Sequence, residues 1–128
     1  MKTVYLDYNS TTPLAPSVKE EMMPFLDNFF GNPSSLHQLG RKARAHLDEY
    51  RHRMAAVWQC KPSEVVFTSG ATESINLAIF GTARLLKAKG RHLITSSVEH
   101  HAVLRSFESL VNKEGFDVSY LPVDSDGR

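Results

Sequence analysis

A run of small polar residues at 68–74 has the residue types needed to bind an anion. It begins after a short apolar run and leads into a helical pattern. Small residues let a backbone approach a ligand closely, and the free N–H groups and dipole of a helix N-terminus favour negative charge. Because the hydroxyl of Thr72 adds a donor, the run is compatible with a phosphate site. Its residues are Thr68, Ser69, Gly70, Ala71, Thr72, Glu73 and Ser74.

A structural interpretation of the same run is equally compatible with its spacing. Ser69 or Thr72 would cap the helix, and Glu73 would complement the helix dipole. The run lacks the Gly-Lys-Ser/Thr ending of a Walker loop, and with one glycine it is not a dinucleotide fingerprint. Both interpretations therefore stay open at this point.

A second candidate is the segment 96–101, which ends in the pair His100-His101. A histidine here could stack on a flat cofactor, transfer protons near neutral pH or bind a metal. The metal interpretation is weak because there is no His-Glu-x-x-His, and His92 is a loose third ligand. The residues alone favour a structural interpretation, in which one histidine caps the next helix and the other is solvated.

Helices dominate the first half of the sequence. Residues 4–6 are compatible with a very short strand, and Pro16 suits the first turn of a helix that Pro24 should kink or end early. The loop 31–35 ends in good N-cap residues, Ser34 and Ser35. A long amphipathic helix is predicted at about 36–59 from apolar residues spaced by three or four. Its apolar positions are Leu36, Leu39, Ala43, Leu47, Tyr50, Met54 and Val57.

Strands and helices alternate in the second half, which predicts a mostly parallel sheet with covering helices. The predicted elements are a strand at 64–67, a helix at 71–88, a strand at 92–95, a helix at 101–113 and a strand at 116–120. Leu77, Phe80 and Leu85 widen the apolar face of the 71–88 helix, so burial on more than one side is expected. Gly90 and Gly115 are predicted to end the two helices. Ligands of such α/β sheets lie at the carboxyl ends of the strands, where both candidate loops fall.

Composition excludes several classes of protein. The chain has 128 residues and a net charge of +1, which argues against a dedicated nucleic-acid binder. No run approaches the roughly 20 apolar residues of a membrane span. The opening segment is too short and too soon acidic for a signal peptide. One cysteine, Cys60, excludes an internal disulfide and a cysteine-based zinc site, so we expect a cytoplasmic protein.

Other polar residues look structural. Arginines and lysines at 41–53 alternate with Asp48 and Glu49, as on a solvated helix face. Cys60 follows this helix and is interpreted as structural or incidental. His37, His46 and His52 have no metal-ligand spacing, and no metal site is predicted.

Four ordered blocks resemble the cysteine desulfurases, which are pyridoxal-phosphate enzymes of the class V aminotransferase group. The blocks span nearly the whole chain, and two small departures from the family pattern are Ser10 and the pair Gln59-Cys60. They are the opening 5–13 (YLDYNSTTP), 31–37 (GNPSSLH), 66–74 (VFTSGATES) followed by 76–79 (NLAI), and 94–96 (ITS) with 99–100 (EH) and 102–104 (AVL), and a similar tail follows at 120–124 with 126–127.

The resemblance implies a fold and a set of roles. The fold would be the incomplete N-terminal part of a fold type I pyridoxal-phosphate (PLP)-dependent transferase, with residues 1–60 in the small-domain and dimer region and 61–128 starting the cofactor-binding domain. The backbone of Ala71 and Thr72, with the Thr72 hydroxyl, would hold the phosphate of pyridoxal 5'-phosphate. His100 would lie over the pyridine ring and take part in proton transfer.

The family reaction removes the sulfur of L-cysteine, giving L-alanine and an enzyme persulfide for iron–sulfur cluster or thio-cofactor assembly. The implied partners are a second subunit in a homodimer and a sulfur-acceptor or scaffold protein. A selenocysteine lyase has similar opening blocks and is one alternative. A non-catalytic, truncated remnant is another.

The family's Schiff-base lysine, the aspartate that pairs with the pyridine nitrogen and the sulfur-accepting cysteine are expected downstream of Arg128. None of the lysines present lies in a Ser-x-His-Lys setting, and Cys60 matches no motif position. We therefore expect an opening section of a larger enzyme, inactive by itself. The resemblance also places the 64–67 strand apart from the other two, so unpaired sheet edges and marginal stability are expected.

Overall fold

The structure, a computed structural model, describes residues 3–128. Its chain forms two compact units, one extending to Val66 and one running from Phe67 to Arg128. The predicted division into 1–60 and 61–128 concerns the domains of a larger fold and stays a prediction. Met1 and Lys2, which open the segment considered as a leader, lie outside the described residues.

The first unit contains two helices, α1 (Pro16–Asp27) and α2 (Gln38–Trp58). Pro16 occupies the first turn of α1, as predicted, but the helix continues for three residues past Pro24. It ends where the N–H groups of Asn28 and Phe29 both donate to the Pro24 carbonyl, at 2.9 and 2.8 Å. The helix therefore ends about one turn after Pro24 rather than at it.

The start of α2 differs from the prediction. Its N-cap is His37, whose Nδ1 accepts from the Gly40 N–H at 3.4 Å. Ser34 and Ser35 do not cap it, because the helix begins only at Gln38; their N–H groups instead donate to the side chain and carbonyl of Asn32 in a separate turn. Leu36, predicted inside the helix, precedes it and is exposed.

The two helices of this unit face each other across an apolar groove of about 630 Å³. The ring of Phe25 on α1 lies 5.2 Å from the ring of His46 and 5.8 Å from that of Tyr50, both on α2. The predicted apolar stripe of α1 and the middle of the predicted stripe of α2 line this groove, whereas Val57 near the end of α2 is 73% exposed. Its lining includes Val18, Met22, Phe25, Leu26, Ala43, Leu47 and Tyr50.

Two predicted strands are wrong. Residues 4–6 form no regular element, and 64–67 is replaced by a 3-10 turn (Pro62–Glu64) followed by non-strand backbone. Val65 has extended dihedrals (φ −94°, ψ 119°) and is buried. A strand needs a neighbour to complete its ladder, and none of the described residues pairs with this segment.

The second unit is an α/β arrangement of α3 (Ala71–Leu85), β1 (His92–Ser96), α4 (His101–Glu114) and β2 (Asp117–Leu121). The two strands pair in parallel, with His92 opposite Asp117 and Ser96 opposite Leu121. This confirms the predicted strand–helix–strand order and the parallel direction. β1 ends one residue beyond its predicted limit, and β2 begins and ends one residue later than predicted.

The helix ends of this unit are partly as predicted. Gly115 ends α4 in the left-handed conformation (φ 70°). Gly90 is not left-handed, which corrects the prediction, because α3 already ends at Leu85. The chain then turns through Leu86, whose carbonyl accepts from the N–H groups of Lys89 and Gly90.

The core of this unit is small. Ala83, Leu110 and Phe116 are buried together, with Ile79, Phe80 and Leu93 packed against them. Leu77 and Leu85 remain 54% and 83% exposed, so the expected burial of α3 on more than one side is wrong for this chain. Among the helices of residues 3–128, none is long and apolar enough to cross a membrane.

Candidate functional site

The N-terminus of α3 is held by its own loop. Gly70 is the N-cap and makes no side-chain cap. One carboxylate oxygen of Glu73 accepts from the N–H of Ser69 at 2.6 Å and from its hydroxyl at 2.7 Å. The hydrogen bond from the Ser69 hydroxyl, and to a lesser extent that from its N–H, lowers the pKa of Glu73 below its usual value. The structural interpretation thus holds in a different form, with Glu73 rather than Ser69 or Thr72 closing the turn.

A second side-chain pair closes the same loop from Thr68 to Ser74. Their hydroxyl oxygens lie 2.6 Å apart, and each hydroxyl also lies within hydrogen-bond distance of the Gly70 carbonyl, at 3.2 and 3.3 Å. These bonds fix the backbone on both sides of Gly70. The loop is therefore preformed by contacts that do not use its first-turn N–H groups.

Those first-turn donors are available to a ligand. Within residues 3–128, the N–H groups of Ala71 and Thr72 and the Thr72 hydroxyl have no hydrogen-bond partner. Ala71 and Thr72 are exposed, and a Cβ placed on Gly70 would meet no atom within 4 Å, so the turn is open to solvent. Open space, unpaired donors and a helix N-terminus together fit a phosphate group.

His100 lies at the start of α4 and caps it. Its Nδ1 accepts from the Ala102 N–H at 3.0 Å, so a neutral His100 carries its proton on Nε2. The ring is exposed, and the His101 ring centroid is 6.3 Å away. The capping predicted from the residues alone is therefore present. Since the cap uses only Nδ1, the ring face and the Nε2 proton stay available.

Two contacts show that α3 and α4 run side by side in the same direction. Asn76 contacts Ser106 toward the N-terminal ends of the helices, and Arg84 contacts Glu114 at their C-terminal ends. In each contact the two partners are 30 residues apart in the sequence. The first residues of the two helices, Ala71 and His101, are also 30 apart. The N-termini of the two helices therefore lie at the same end of the pair.

This register brings together the two loops that the sequence singled out. Ala71 and Thr72 open one helix and His100 precedes the other, at the same end of the pair. Arg84 donates through Nη2 to a Glu114 carboxylate oxygen at 2.7 Å, and this bond holds the pKa of Glu114 below its usual value. The contacts that set the register thus lie along the helices rather than at the site.

Ser106 is a residue that the sequence analysis missed. It is 3% exposed on the face of α4 that also carries Phe107 and Leu110. Its hydroxyl donates to the Ala102 carbonyl at 2.7 Å and approaches Asn76 Oδ1 at 3.4 Å. A polar residue inside an otherwise apolar helical stripe was the available signal.

The other polar residues considered in the sequence analysis lie on α2 or just beyond it. No group of metal-ligating side chains occurs in the part of the chain that the structure describes. The basic stretch of α2 forms surface ion pairs, including Arg44 with Asp48 at 2.9 Å and Arg53 with Glu49. Cys60 is partly buried beyond the end of α2.

Comparison with known proteins finds one family over nearly the whole chain. The family model described as Aminotransferase class-V matches residues 4–128. A relative from Dictyoglomus turgidum, named cysteine desulfurase IscS, is 52% identical over 126 residues. A relative from Bacillus subtilis, named putative cysteine desulfurase IscS 1, is 48% identical over 128 residues. These alignments cover 98% and 100% of this chain but 32% and 34% of the relatives.

Solved structures give the same picture for the fold. A NifS-like protein superposes with a TM-score of 0.83 at 43% identity, covering 91% of this chain and 32% of that structure. The protein SspA, solved in complex with cysteine, superposes with a TM-score of 0.81 at 44% identity, covering 93% of this chain and 34% of that structure. This chain therefore spans about a third of the length of the relatives it matches.

Proposed function

The chain belongs to the class-V aminotransferase family, and from this premise we propose that it supplies one part of the cofactor site of a PLP-dependent cysteine desulfurase. The proposed reaction takes sulfur from L-cysteine and releases L-alanine. The sulfur would pass through an enzyme persulfide to an acceptor protein for iron–sulfur cluster or thio-cofactor assembly. Relatives named cysteine desulfurase, about half identical to this chain, support this choice of activity.

The observation that carries the proposal is the preformed turn at the start of α3. The N–H groups of Ala71 and Thr72 and the Thr72 hydroxyl face open space without partners among residues 3–128. In the proposal these donors bind the phosphate of pyridoxal 5'-phosphate, and the dipole of α3 adds to the attraction. No rearrangement of the loop is needed, since Glu73 and Ser74 already hold its shape.

His100 is assigned to the ring of the cofactor. Its position at the same end of the helix pair as Thr72 gives it a place beside a ligand whose phosphate lies at α3. The Ala102 N–H fixes the ring orientation and leaves the proton on Nε2, from which it can be transferred. When bound, the cofactor supplies an electron sink for the substrate carbanion.

The partners follow from the same assignment. L-Cysteine is the proposed substrate, and the structure of SspA with cysteine supports it. A homodimer, a sulfur acceptor and a cytoplasmic location complete the proposal.

The test uses the gene product that carries this chain, purified with pyridoxal 5'-phosphate. We expect a visible chromophore and release of L-alanine from L-cysteine, with the persulfide sulfur released as sulfide when a thiol reductant is added. Thr72→Ala should weaken cofactor binding about 10-fold or more, because it removes a hydrogen bond to a charged group. The matched control Thr82→Ala, further along the same helix, should leave binding unchanged. A protein without a chromophore, or a Thr72→Ala variant that binds like the control, would overturn the assignment.

A further inference from the structure

We propose that Asn76 and Ser106 are positioning residues of this site, which connect Thr72 to His100 through one hydrogen-bonded path across the α3–α4 interface. The path sets the spacing between the group that binds the phosphate and the group that faces the cofactor ring. This inference rests on the proposed function. It assigns roles to two side chains that do not themselves reach a ligand.

The first half of the path lies on α3. Asn76 Nδ2 donates to the carbonyl of Thr72 at 2.7 Å. Because a carbonyl can only accept, this bond fixes the orientation of the amide and turns Oδ1 toward α4. Asn76 itself is half-buried, whereas Thr72 is exposed.

The second half lies on α4. The Ser106 hydroxyl donates to the Ala102 carbonyl at 2.7 Å, with Asn76 Oδ1 3.4 Å away as a weaker, shared acceptor. The Ala102 N–H donates to His100 Nδ1. Ala102 thus accepts a hydrogen bond from Ser106 at its carbonyl and donates one to His100 from its N–H.

Packing alone does not explain these residue types. Ser106 is one of two buried polar residues in the part of the chain that the structure describes, and it is 3% exposed. An alanine there would avoid the cost of burying a hydroxyl, so the hydroxyl is stabilising only through its partners. Those partners lead to Thr72 on one side and His100 on the other.

The test is a double-mutant cycle in the purified gene product with its cofactor, using Asn76→Ala, Ser106→Ala and the pair. Each single variant should raise the dissociation constant of pyridoxal 5'-phosphate by about 3- to 10-fold, the effect of one neutral hydrogen bond. Because both residues lie on one path, the double variant should lose no more than about the larger single effect. Additive losses would contradict the shared path.

A second ligand separates positioning from general loosening of the fold. Asn76 acts through Thr72, so Asn76→Ala should lower the affinity for pyridoxal 5'-phosphate and leave that for unphosphorylated pyridoxal unchanged. A variant that merely loosens the helix pair would weaken both ligands alike, and that result would overturn the proposal. Ser106→Thr, which keeps the hydroxyl, should bind within about 2-fold of wild type.

Matched controls are available on α4. Ser109→Ala and Asn112→Ala make the same substitutions at positions whose side chains form no hydrogen bond with other described residues. If Ser106→Ala does not fold, Asn76→Ala and Ser106→Thr carry the comparison. Wild-type protein without a chromophore would refute the proposed function and this inference together. A normal wild-type chromophore, with Asn76 and Ser106 variants that bind like their controls, would refute this inference alone.

Discussion

Glu73 places a carboxylate in the same helical turn whose N–H groups are proposed to bind a phosphate. Two anions in one turn would repel each other, which would weaken the site. The structure separates them by turning the carboxylate back to Ser69, where it accepts two hydrogen bonds. Glu73 therefore still interacts favourably with the dipole of α3, while the N–H groups of Ala71 and Thr72 remain available to a ligand.

The first prediction concerns the titration of Glu73. Its pKa is lowered by the Ser69 hydroxyl and N–H, so its carboxyl ¹³C signal should titrate below the ordinary value of 4.5. Since the folded pKa lies below the unfolded one, the stabilisation is fully present above about pH 4.5 and is lost as pH falls through the folded pKa. Ser69→Ala should move the titration midpoint upward, whereas Ser109→Ala should not. An unchanged midpoint in Ser69→Ala would contradict this explanation.

Sequence patterns identify site residues better than they identify the residues that support them. The loops that hold Thr72 and His100 are predicted as ligand sites because they follow apolar runs and precede helices, and the resemblance to the cysteine desulfurases selects these two residues within them. Asn76 and Ser106 depend on the register of α3 against α4, which is a tertiary property. The capping role of His100 was one of several options from sequence, and only the Nδ1 bond to Ala102 selects it.

The end of α2 shows how an element tolerates an unfavourable residue. Gln59 caps it in the left-handed conformation with φ 54°, and the Cys60 N–H reaches back to the Ala55 carbonyl at 3.0 Å. Gly115 does the same for α4 with φ 70°. A side chain at positive φ costs energy that glycine avoids.

The second prediction exchanges these two caps. Gln59→Gly should stabilise the protein by about 1 kcal/mol, because it removes the left-handed strain while keeping both backbone bonds. Gly115→Gln should destabilise it by a similar amount, since a Cβ there meets only an Arg91 side-chain atom at 3.5 Å and the cost comes from φ. Chemical denaturation of the gene product measures both. A Gln59→Gly variant less stable than wild type would show that the glutamine side chain contributes more than its strain costs.

Elements with strong local signals were predictable and the others were not. The periodic helices and the parallel pair of strands appear within a few residues of their predicted limits. The 64–67 strand does not form because β-structure needs a neighbour, and its apolar sequence cannot supply one. Gly90 failed as a cap because α3 ends earlier, at a turn through Leu86 that has no glycine signal.

At the scale of the whole chain, large apolar side chains remain open to solvent. In the second unit Leu77, Leu85, Ile94 and Leu121 are each more than half exposed, and the sheet has two strands. Each strand therefore keeps one edge without a partner among the described residues. Exposed strand edges beside apolar surface favour association with other chains.

The third prediction follows for the 128-residue chain studied alone. It should not turn over L-cysteine, because none of its lysines lies in the Ser-x-His-Lys setting that the family chemistry uses. It should also self-associate with increasing concentration in sedimentation velocity. Ile94→Lys places a charge on the exposed face of β1 and should reduce this association, since charged residues block strand pairing. Ser125→Lys, which adds the same charge in the terminal turn, should not. A monomer at all concentrations, or equal effects of the two lysines, would show that the strand surface does not drive association.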